Sequence, residues 1–189
     1  PEAPWWGWDH PPVGWLAAPV RSGTSLMRVA VLGAGAVGSR VVRQLLSTDA
    51  VDRIVLRDTS AERLAQVSRS LGERVEVEHH PFPSDLEADA VVVATPRGTQ
   101  LEAVEAAIRA RRPAVLVGNG LAETIAVLHL AGAAARARVP VVIGAGFAPG
   151  FSCVLAAHGR SWFDTVREIH VSKAGTGGPA CALVHHRAL

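Results

Sequence analysis

The feature that most constrains this chain is a glycine-rich turn between two apolar segments. Residues 27–46 read MRVAVLGAGAVGSRVVRQLL, with glycines at positions 33, 35 and 38. A valine-rich run precedes the turn, and an amphipathic helical pattern follows it. A junction with so few side chains either tightens the turn for packing or lets a phosphate approach the backbone. The surrounding sequence favours one of these two interpretations.

The chain after this turn alternates apolar strands with amphipathic helices. Helical spacing is clear where Leu101, Val104 and Ile108 fall on one face. Several strands are almost entirely apolar, as strands buried on both faces must be, which favours a parallel sheet. The pattern predicts an α/β fold with a doubly wound parallel sheet, the Rossmann arrangement in strand order 3-2-1-4-5-6. The predicted strands are RVAVLG (28–33), RIVLRD (53–58), RVEVEH (74–79), DAVVVATP (89–96), AVLVGN (114–119) and PVVIGAGF (140–147).

In this context the glycine turn is a candidate phosphate site. Gly33 is expected to make the tight turn, Gly35 to let the backbone approach a pyrophosphate, and Gly38 to let the helix pack closely on the strand. Ala36 and Val37 then lie in the first helical turn, whose free N–H groups and positive dipole favour an anion. The alternative is that the glycines serve only the turn.

An acidic residue at the end of the second strand supports a dinucleotide ligand. Asp58 follows Gly38 by 20 residues, where a carboxylate accepts hydrogen bonds from the ribose hydroxyls of an adenosine. The carboxylate would repel a 2′-phosphate and therefore favours NAD, but Arg57 and Arg63 are cations that could accept one, so NADP stays open. Alternatively, Asp58 only caps the helix that begins after it.

Two further strand ends supply candidate cofactor contacts. Ala94, Thr95 and Pro96 end the fourth strand beside the point where strand order reverses, so they are candidates for the pyrophosphate or the nicotinamide ribose. Gly118 and Asn119 end the fifth strand in the same way. Each of these residues has a plain alternative, since Pro96 in particular would also terminate a strand.

Composition excludes several other classes of protein. The 189 residues are 49% hydrophobic with a net charge of +2, and the basic residues are scattered among acidic ones, which argues against a nucleic-acid partner. No apolar span of 18 residues predicts a membrane helix, and two cysteines without ligand spacing fit a reducing compartment. We therefore expect a cytoplasmic protein with neither a membrane nor a metal site.

The first 26 residues do not fit the fold that follows. They contain four of the five tryptophans and have neither a helical nor a strand period. Residues 1–26 are expected to be a disordered tail or a non-native extension, with Met27 as the true start. A tryptophan-rich docking segment is the alternative.

Three segments together resemble the saccharopine dehydrogenase-like reductases: the glycine turn, the VVVATP strand end and GAGFAPGFSCVLA at 144–156. The turn formed by Gly146, Phe147, Pro149 and Gly150 is the more specific of these signals. The resemblance implies a nucleotide-binding domain at 27–148, followed from 149 to 189 by the start of a truncated α+β substrate domain. It also implies hydride transfer between a nicotinamide and a small amino-acid, imine or carbonyl substrate in a homo-oligomer. A nucleotide-sensing module without turnover would use the same glycines and Asp58.

The segment EIHVSKAGTGGPA at 168–180 is similar to part of the dihydrodipicolinate reductases. The resemblance implies that Lys173, the only lysine, is a general acid and that His170 assists it. It also implies that a turn at Thr176, Gly177 and Gly178 binds a substrate carboxylate. We expect the segment to begin with a strand, in which Glu168 and His170 share one face and Lys173 lies on the other. In the plain alternative Lys173 is only a solvated side chain.

Overall fold

The computed structural model describes residues 27–80, 86–118, 120–172 and 178. The predicted tail at 1–26 lies outside these residues. The described residues contain six strands and six helices. They are β1 (Met27–Leu32), α1 (Ala36–Leu46), β2 (Val51–Asp58), α2 (Ala61–Ser68), β3 (Val75–His79), β4 (Ala90–Val93), α3 (Gln100–Arg109), β5 (Ala114–Leu116), α4 (Leu121–Leu128), α5 (Ala131–Ala137), β6 (Val141–Val142) and α6 (Phe151–Arg160).

The strands form one parallel sheet in the order β3-β2-β1-β4-β5-β6. β1 occupies the centre, where Val31 pairs with Leu56 of β2 on one side and with Val92 of β4 on the other. The remaining neighbours, β2 with β3, β4 with β5 and β5 with β6, are parallel as well. The predicted fold class and strand order are confirmed, and the order reverses between β1 and β4, where open α/β sheets bind their ligands.

Each face of the sheet has its own apolar core. α1 and α2 cover one face, where Val42 and Leu64 pack against the side chains of β1 and β2. α3 and α5 cover the other, where Val104, Ala107 and Ala134 pack against β1, β4 and β5. Most of these side chains are less than 4% exposed, so the two layers hold the sheet edge rigidly.

The face of the sheet away from α1 and α2 carries charged side chains over β2 and β3. Arg28 Nη2 lies 2.8 Å from Glu76 Oε2, Arg53 Nη1 lies 3.1 Å from Glu76 Oε1, and Arg57 pairs with Glu78. Strand alternation places these side chains on the face away from α1 and α2. The described part of the β3–β4 connection contains no helix to cover this face. Among the described residues, ion pairs therefore line this part of the face.

The last described segment differs from the prediction. α6 buries none of its residues, and Phe151, Val154 and Trp162 are all more than half exposed. Residues 161–172 form no strand, so the strand expected to begin at Glu168 is wrong for its described part. A strand needs a neighbour for its backbone N–H and C=O groups, and no described strand lies beside this segment.

Candidate functional site

Parallel pairing brings the carboxyl ends of the strands to one edge of the sheet. The glycine turn follows β1, Asp58 ends β2, and Ala94 to Pro96 follow β4. Because β1 lies between β2 and β4, the structure groups the predicted contacts for the two ends of a dinucleotide around the glycine turn.

The three glycines of the turn have different surroundings. Gly33 has φ +100°, and a Cβ there would lie 2.6 Å from the Ala94 carbonyl oxygen. A Cβ on Gly38 would lie 1.8 Å from the Gly33 carbonyl oxygen, so the helix packs directly on the turn. Among the described residues, a Cβ on Gly35 would meet nothing within 4 Å. Packing thus requires Gly33 and Gly38, whereas the described residues leave open space beside Gly35.

The N-terminus of α1, beside that open space, receives no cap from a side chain in the described part of the chain. Gly35 is the N-cap residue, no side chain caps the helix, and its first turn contains no acidic residue. By contrast, Ser60 Oγ caps α2 by accepting from the Arg63 N–H at 3.2 Å. The first N–H groups of α1, including those of Ala36 and Val37, therefore remain available to an anion.

Asp58 connects the glycine turn to the start of α2. Its side chain is only 5% exposed, and its Oδ2 accepts the Ala34 N–H at 2.7 Å. Oδ1 accepts the Ser60 N–H at 2.8 Å, and Arg63 Nη1 lies 3.0 and 3.1 Å from the two oxygens. Asp58 therefore fixes the shape of the turn, and the capping side chain of α2 is Ser60, not Asp58.

The segment after β4 packs against the glycine turn and contains a buried hydroxyl. The Ala94 N–H donates to the Leu32 carbonyl at 2.8 Å, which continues the sheet past the end of the strand. Thr95 is 7% exposed, and its Oγ1 has no hydrogen-bond partner among the described residues. Pro96 is exposed. An unpartnered buried hydroxyl at a ligand-binding edge is a candidate contact for a bound molecule.

Two residues that hold this segment in place were not predicted from the sequence. Gln100 is 4% exposed, and its Nε2 donates to the Thr95 carbonyl at 3.2 Å. Glu123, from the first turn of α4, accepts the Gln100 N–H at 2.7 Å and the Gly98 N–H at 3.2 Å. Glu123 thereby caps α3 from another helix. The contact joins residues 23 apart in sequence, so no local capping pattern predicts it.

Gly118 follows β5 by two residues and lies against the Gln100 side chain, since a Cβ there would be 2.0 Å from Gln100 Nε2. Its absent side chain thus makes room for Gln100. The predicted cofactor contact Asn119 lies outside the described residues, as do Lys173, Thr176 and Gly177.

The predicted catalytic and substrate residues are only partly described. His170 Nε2 lies 3.1 Å from Glu168 Oε2, and both side chains are about four-fifths exposed, at 84% and 79%. Gly178 lies next to the start of α1, because a Cβ on it would be 2.8 Å from the Ala36 Cβ. The roles of His170 and Gly178 stay predictions.

The described part of the chain contains no group of three or more His, Cys, Asp or Glu side chains that could hold a metal ion. Among the same residues, no helix has both the length and the apolar character needed to cross a membrane.

The edge as described fits a dinucleotide. Gly35 leaves room, the α1 terminus offers N–H groups to a pyrophosphate, and the Asp58 carboxylate lies one strand away at the end of β2. Comparison with known proteins agrees with this geometry, because residues 27–145 match the GFO/IDH/MocA model, described as an oxidoreductase family with an NAD-binding Rossmann fold.

Solved structures resemble the chain at low sequence identity. Apo saccharopine dehydrogenase (L-Glu forming) from Saccharomyces cerevisiae is 18% identical with a TM-score of 0.57, over 70% of this chain and 30% of that one. GenD2 from gentamicin A biosynthesis, in complex with NAD, is 23% identical with a TM-score of 0.53, over 70% and 38%. A probable dehydrogenase from Thermotoga maritima is 22% identical with a TM-score of 0.52, over 62% and 35%.

At these identities the likeness shows the fold, and the matched region spans about a third of the length of each solved structure. No curated protein matches the chain. The family match itself covers more than half of the chain, from the first residue of β1 to the turn after β6. The chain therefore belongs to the GFO/IDH/MocA oxidoreductase family with an NAD-binding Rossmann fold.

Proposed function

We propose that this chain is the nucleotide-binding part of an NAD(P)-dependent oxidoreductase of the saccharopine dehydrogenase-like kind. Its reaction is hydride transfer between the nicotinamide and a small amino-acid, imine or carbonyl substrate. The observation that carries the proposal is the combination of an uncapped α1 terminus, open space at Gly35 and a buried carboxylate at Asp58 on one sheet edge. These three features match the phosphate and ribose ends of a dinucleotide.

Each part of the edge has a proposed role toward the cofactor. Gly35, Ala36 and Val37 present backbone N–H groups to the pyrophosphate, while Gly33 and Gly38 keep the turn closed. Asp58 binds the adenosine ribose hydroxyls. These groups bind and orient the dinucleotide, whereas the nicotinamide itself supplies the redox chemistry.

The segment after β4 is proposed to border the nicotinamide end. Ala94 lies against the glycine turn, and Thr95 and Pro96 extend beyond it. The Thr95 hydroxyl is buried without a partner in the described part of the protein, which supports a polar contact to the bound cofactor. Asn119 is the proposed contact from the neighbouring strand.

The substrate side of the proposal rests on the family resemblance. Lys173 is the proposed proton donor, His170 its assistant, and residues 176–178 the carboxylate site. Gly178 lies beside Ala36, a position compatible with a substrate close to the cofactor. Residues 27–148 form the nucleotide domain and residues 149–189 begin the substrate domain, in a cytoplasmic homo-oligomer.

A nucleotide sensor without turnover is the second candidate function. The observation that favours it concerns two acid–base groups. The His170 side chain is 84% exposed, and among the described residues it hydrogen-bonds only Glu168. The Glu123 carboxylate already accepts the backbone N–H groups of Gly98 and Gln100. A general acid needs a position within hydrogen-bond reach of the reacting group.

Titration with NADH followed by a turnover assay tests both candidates. We expect NADH to bind with a dissociation constant of about 1 μM to 1 mM, the usual range for small ligands of enzymes. NADH oxidation is then followed by absorbance against a panel of keto acids, with and without ammonia, and of cyclic imines. The matched variant is Lys173→Ala, because it removes the proposed acid far from the glycine turn in sequence.

Turnover that is lost in Lys173→Ala while NADH still binds supports the oxidoreductase with the proposed acid. Turnover retained in this variant supports the oxidoreductase and contradicts the role of Lys173. Binding without turnover supports the nucleotide site and agrees with both candidates, because the chain is proposed to contain only the start of the substrate domain. A chain that binds no NADH contradicts both candidates.

A further inference from the structure

The Asp58 carboxylate has no acceptor position left for a ribose. A carboxylate offers about four lone-pair positions. Backbone N–H groups of Ala34 and Ser60 take one on each oxygen, at 2.7 and 2.8 Å. Arg63 Nη1 takes the other two, at 3.0 and 3.1 Å. Ribose hydroxyls can therefore bind Asp58 only where another donor leaves.

Arg63 is the donor that can leave. The two backbone N–H groups belong to the glycine turn and to the start of α2, whose shapes they hold. The Arg63 side chain is 48% exposed, and its contact to Asp58 uses a single nitrogen. Among the described residues, its Nη2 and Nε make no hydrogen bond. The guanidinium thus has two nitrogens, with three N–H groups, that donate to no acceptor among the described residues, which is the arrangement that suits a phosphate.

The neighbouring cation, Arg57, is not available for this role. Its side chain is 15% exposed and pairs with Glu78. Strand alternation places Arg57 on the face of β2 opposite α2, with the charged groups that cover the sheet there. Of the two arginines near Asp58 in sequence, only Arg63 reaches its carboxylate.

We propose that Arg63 sets the dinucleotide preference of this site and lets it accept both NAD and NADP. With NAD, the ribose hydroxyls displace Arg63 from Asp58 and donate to the oxygens it leaves. With NADP, Arg63 moves its pairing to the 2′-phosphate, while the backbone N–H groups keep Asp58 in place. This inference rests on the proposed nucleotide site, because it assigns a residue of that site to cofactor choice.

The test is calorimetric titration of the full chain with NAD⁺ and with NADP⁺, in wild type and in Arg63→Ala. Removing Arg63 frees two acceptor positions for NAD⁺ and removes the cation that holds the 2′-phosphate. We expect NAD⁺ to bind about threefold tighter or more, and NADP⁺ about tenfold weaker or more. Arg63→Gln, which keeps most of the side chain without its charge, is expected to change both affinities in the same directions.

Arg69→Ala is the matched control. Arg69 directly follows α2, is exposed, and makes no ion pair within the described chain, so it removes the same charge without touching Asp58. It should leave the ratio of the two affinities unchanged. Circular dichroism of each variant checks that the fold is retained.

Opposite shifts for the two cofactors in Arg63→Ala support the inference. If wild type binds NAD⁺ but Arg63→Ala leaves the ratio unchanged, or weakens NAD⁺, the inference is wrong and the proposed function stands. The inference is also wrong, and the proposed function still stands, if wild type binds NAD⁺ but has no measurable affinity for NADP⁺. If wild type binds neither dinucleotide, both the proposed function and the inference are wrong.

Discussion

Alanine at the glycines of the turn should separate packing from cofactor binding. Gly38→Ala places a Cβ 1.8 Å from the Gly33 carbonyl oxygen, whereas real Cβ atoms essentially never lie within 3.0 Å of such an atom. The obstacle is backbone, so no side-chain rotation relieves it. α1 must move away from β1 by at least about 1.2 Å, the difference between these two distances.

That displacement has a cost in stability. Overpacking costs about 1–3 kcal/mol, and the better helix propensity of alanine returns about 1 kcal/mol. A backbone contact of 1.8 Å places the cost at the upper end of that range. We therefore expect Gly38→Ala to lower the free energy of unfolding by about 2 kcal/mol. NAD affinity should fall as well, because the α1 terminus shifts from its position beside Gly35.

Gly35→Ala should behave differently. No atom of the described residues lies within 4 Å of the added Cβ, and Gly35 has φ −72°, which alanine adopts without strain. Stability should stay the same or rise by up to about 1 kcal/mol. The methyl group occupies the space proposed for the pyrophosphate, so NAD affinity should fall about tenfold or more.

Urea denaturation gives the stability of each variant, and calorimetric titration with NAD gives its affinity. Gly72→Ala is the matched control, since its Cβ also meets nothing within 4 Å and the residue lies between α2 and β3. It should alter neither affinity nor packing. A Gly38→Ala variant as stable as wild type would contradict the packing role of Gly38. Unchanged NAD affinity in Gly35→Ala would contradict the proposed pyrophosphate position.

Three further substitutions test other parts of the edge. Glu123→Gln weakens the charged cap of α3 and should lower the free energy of unfolding by about 1 kcal/mol, as measured by urea denaturation. The control is Glu102→Gln, because Glu102 is an acid in the first turn of α3 that makes no hydrogen bond among the described residues. Equal effects of the two substitutions would contradict this expectation. Thr95→Val removes the unpartnered hydroxyl, so the protein should lose no stability but bind NAD more weakly, and undiminished affinity would argue against the proposed contact. Asp58→Ala should weaken NAD binding about tenfold or more. It should also destabilise the chain, because two backbone N–H groups lose their acceptor. Unchanged NAD affinity would show that Asp58 is not part of the site.

The fold was predictable because its signals repeat along the chain. Near-continuous apolar strands such as residues 89–96 indicated a sheet buried on both faces, and the glycine turn fixed the first βαβ unit. Right-handed crossovers then leave few strand orders, and the observed one agrees with the prediction. The strand expected at Glu168 failed because apolar alternation alone supplies no hydrogen-bonding neighbour.

The candidate site was predictable only as far as backbone conformation determines it. Glycine spacing located the turn, and strand ends located Asp58 and Thr95. The partners of Asp58 were not predictable. Arg57 and Arg63 are both near it in sequence, and only strand alternation and the start of α2 decide which of them reaches its carboxylate. Glu123 was missed because its contact depends on how α4 lies beside α3.

Binding of NAD at the carboxyl edge around the glycine turn is tested most directly by backbone amide NMR. The isotopically labelled chain is titrated with NAD, and each N–H group reports separately. We expect the largest shifts at residues 33–38, with Asp58 and Thr95 next, and little change in β3 and α5. Shifts centred away from this edge, or no shifts at saturating NAD, would contradict it.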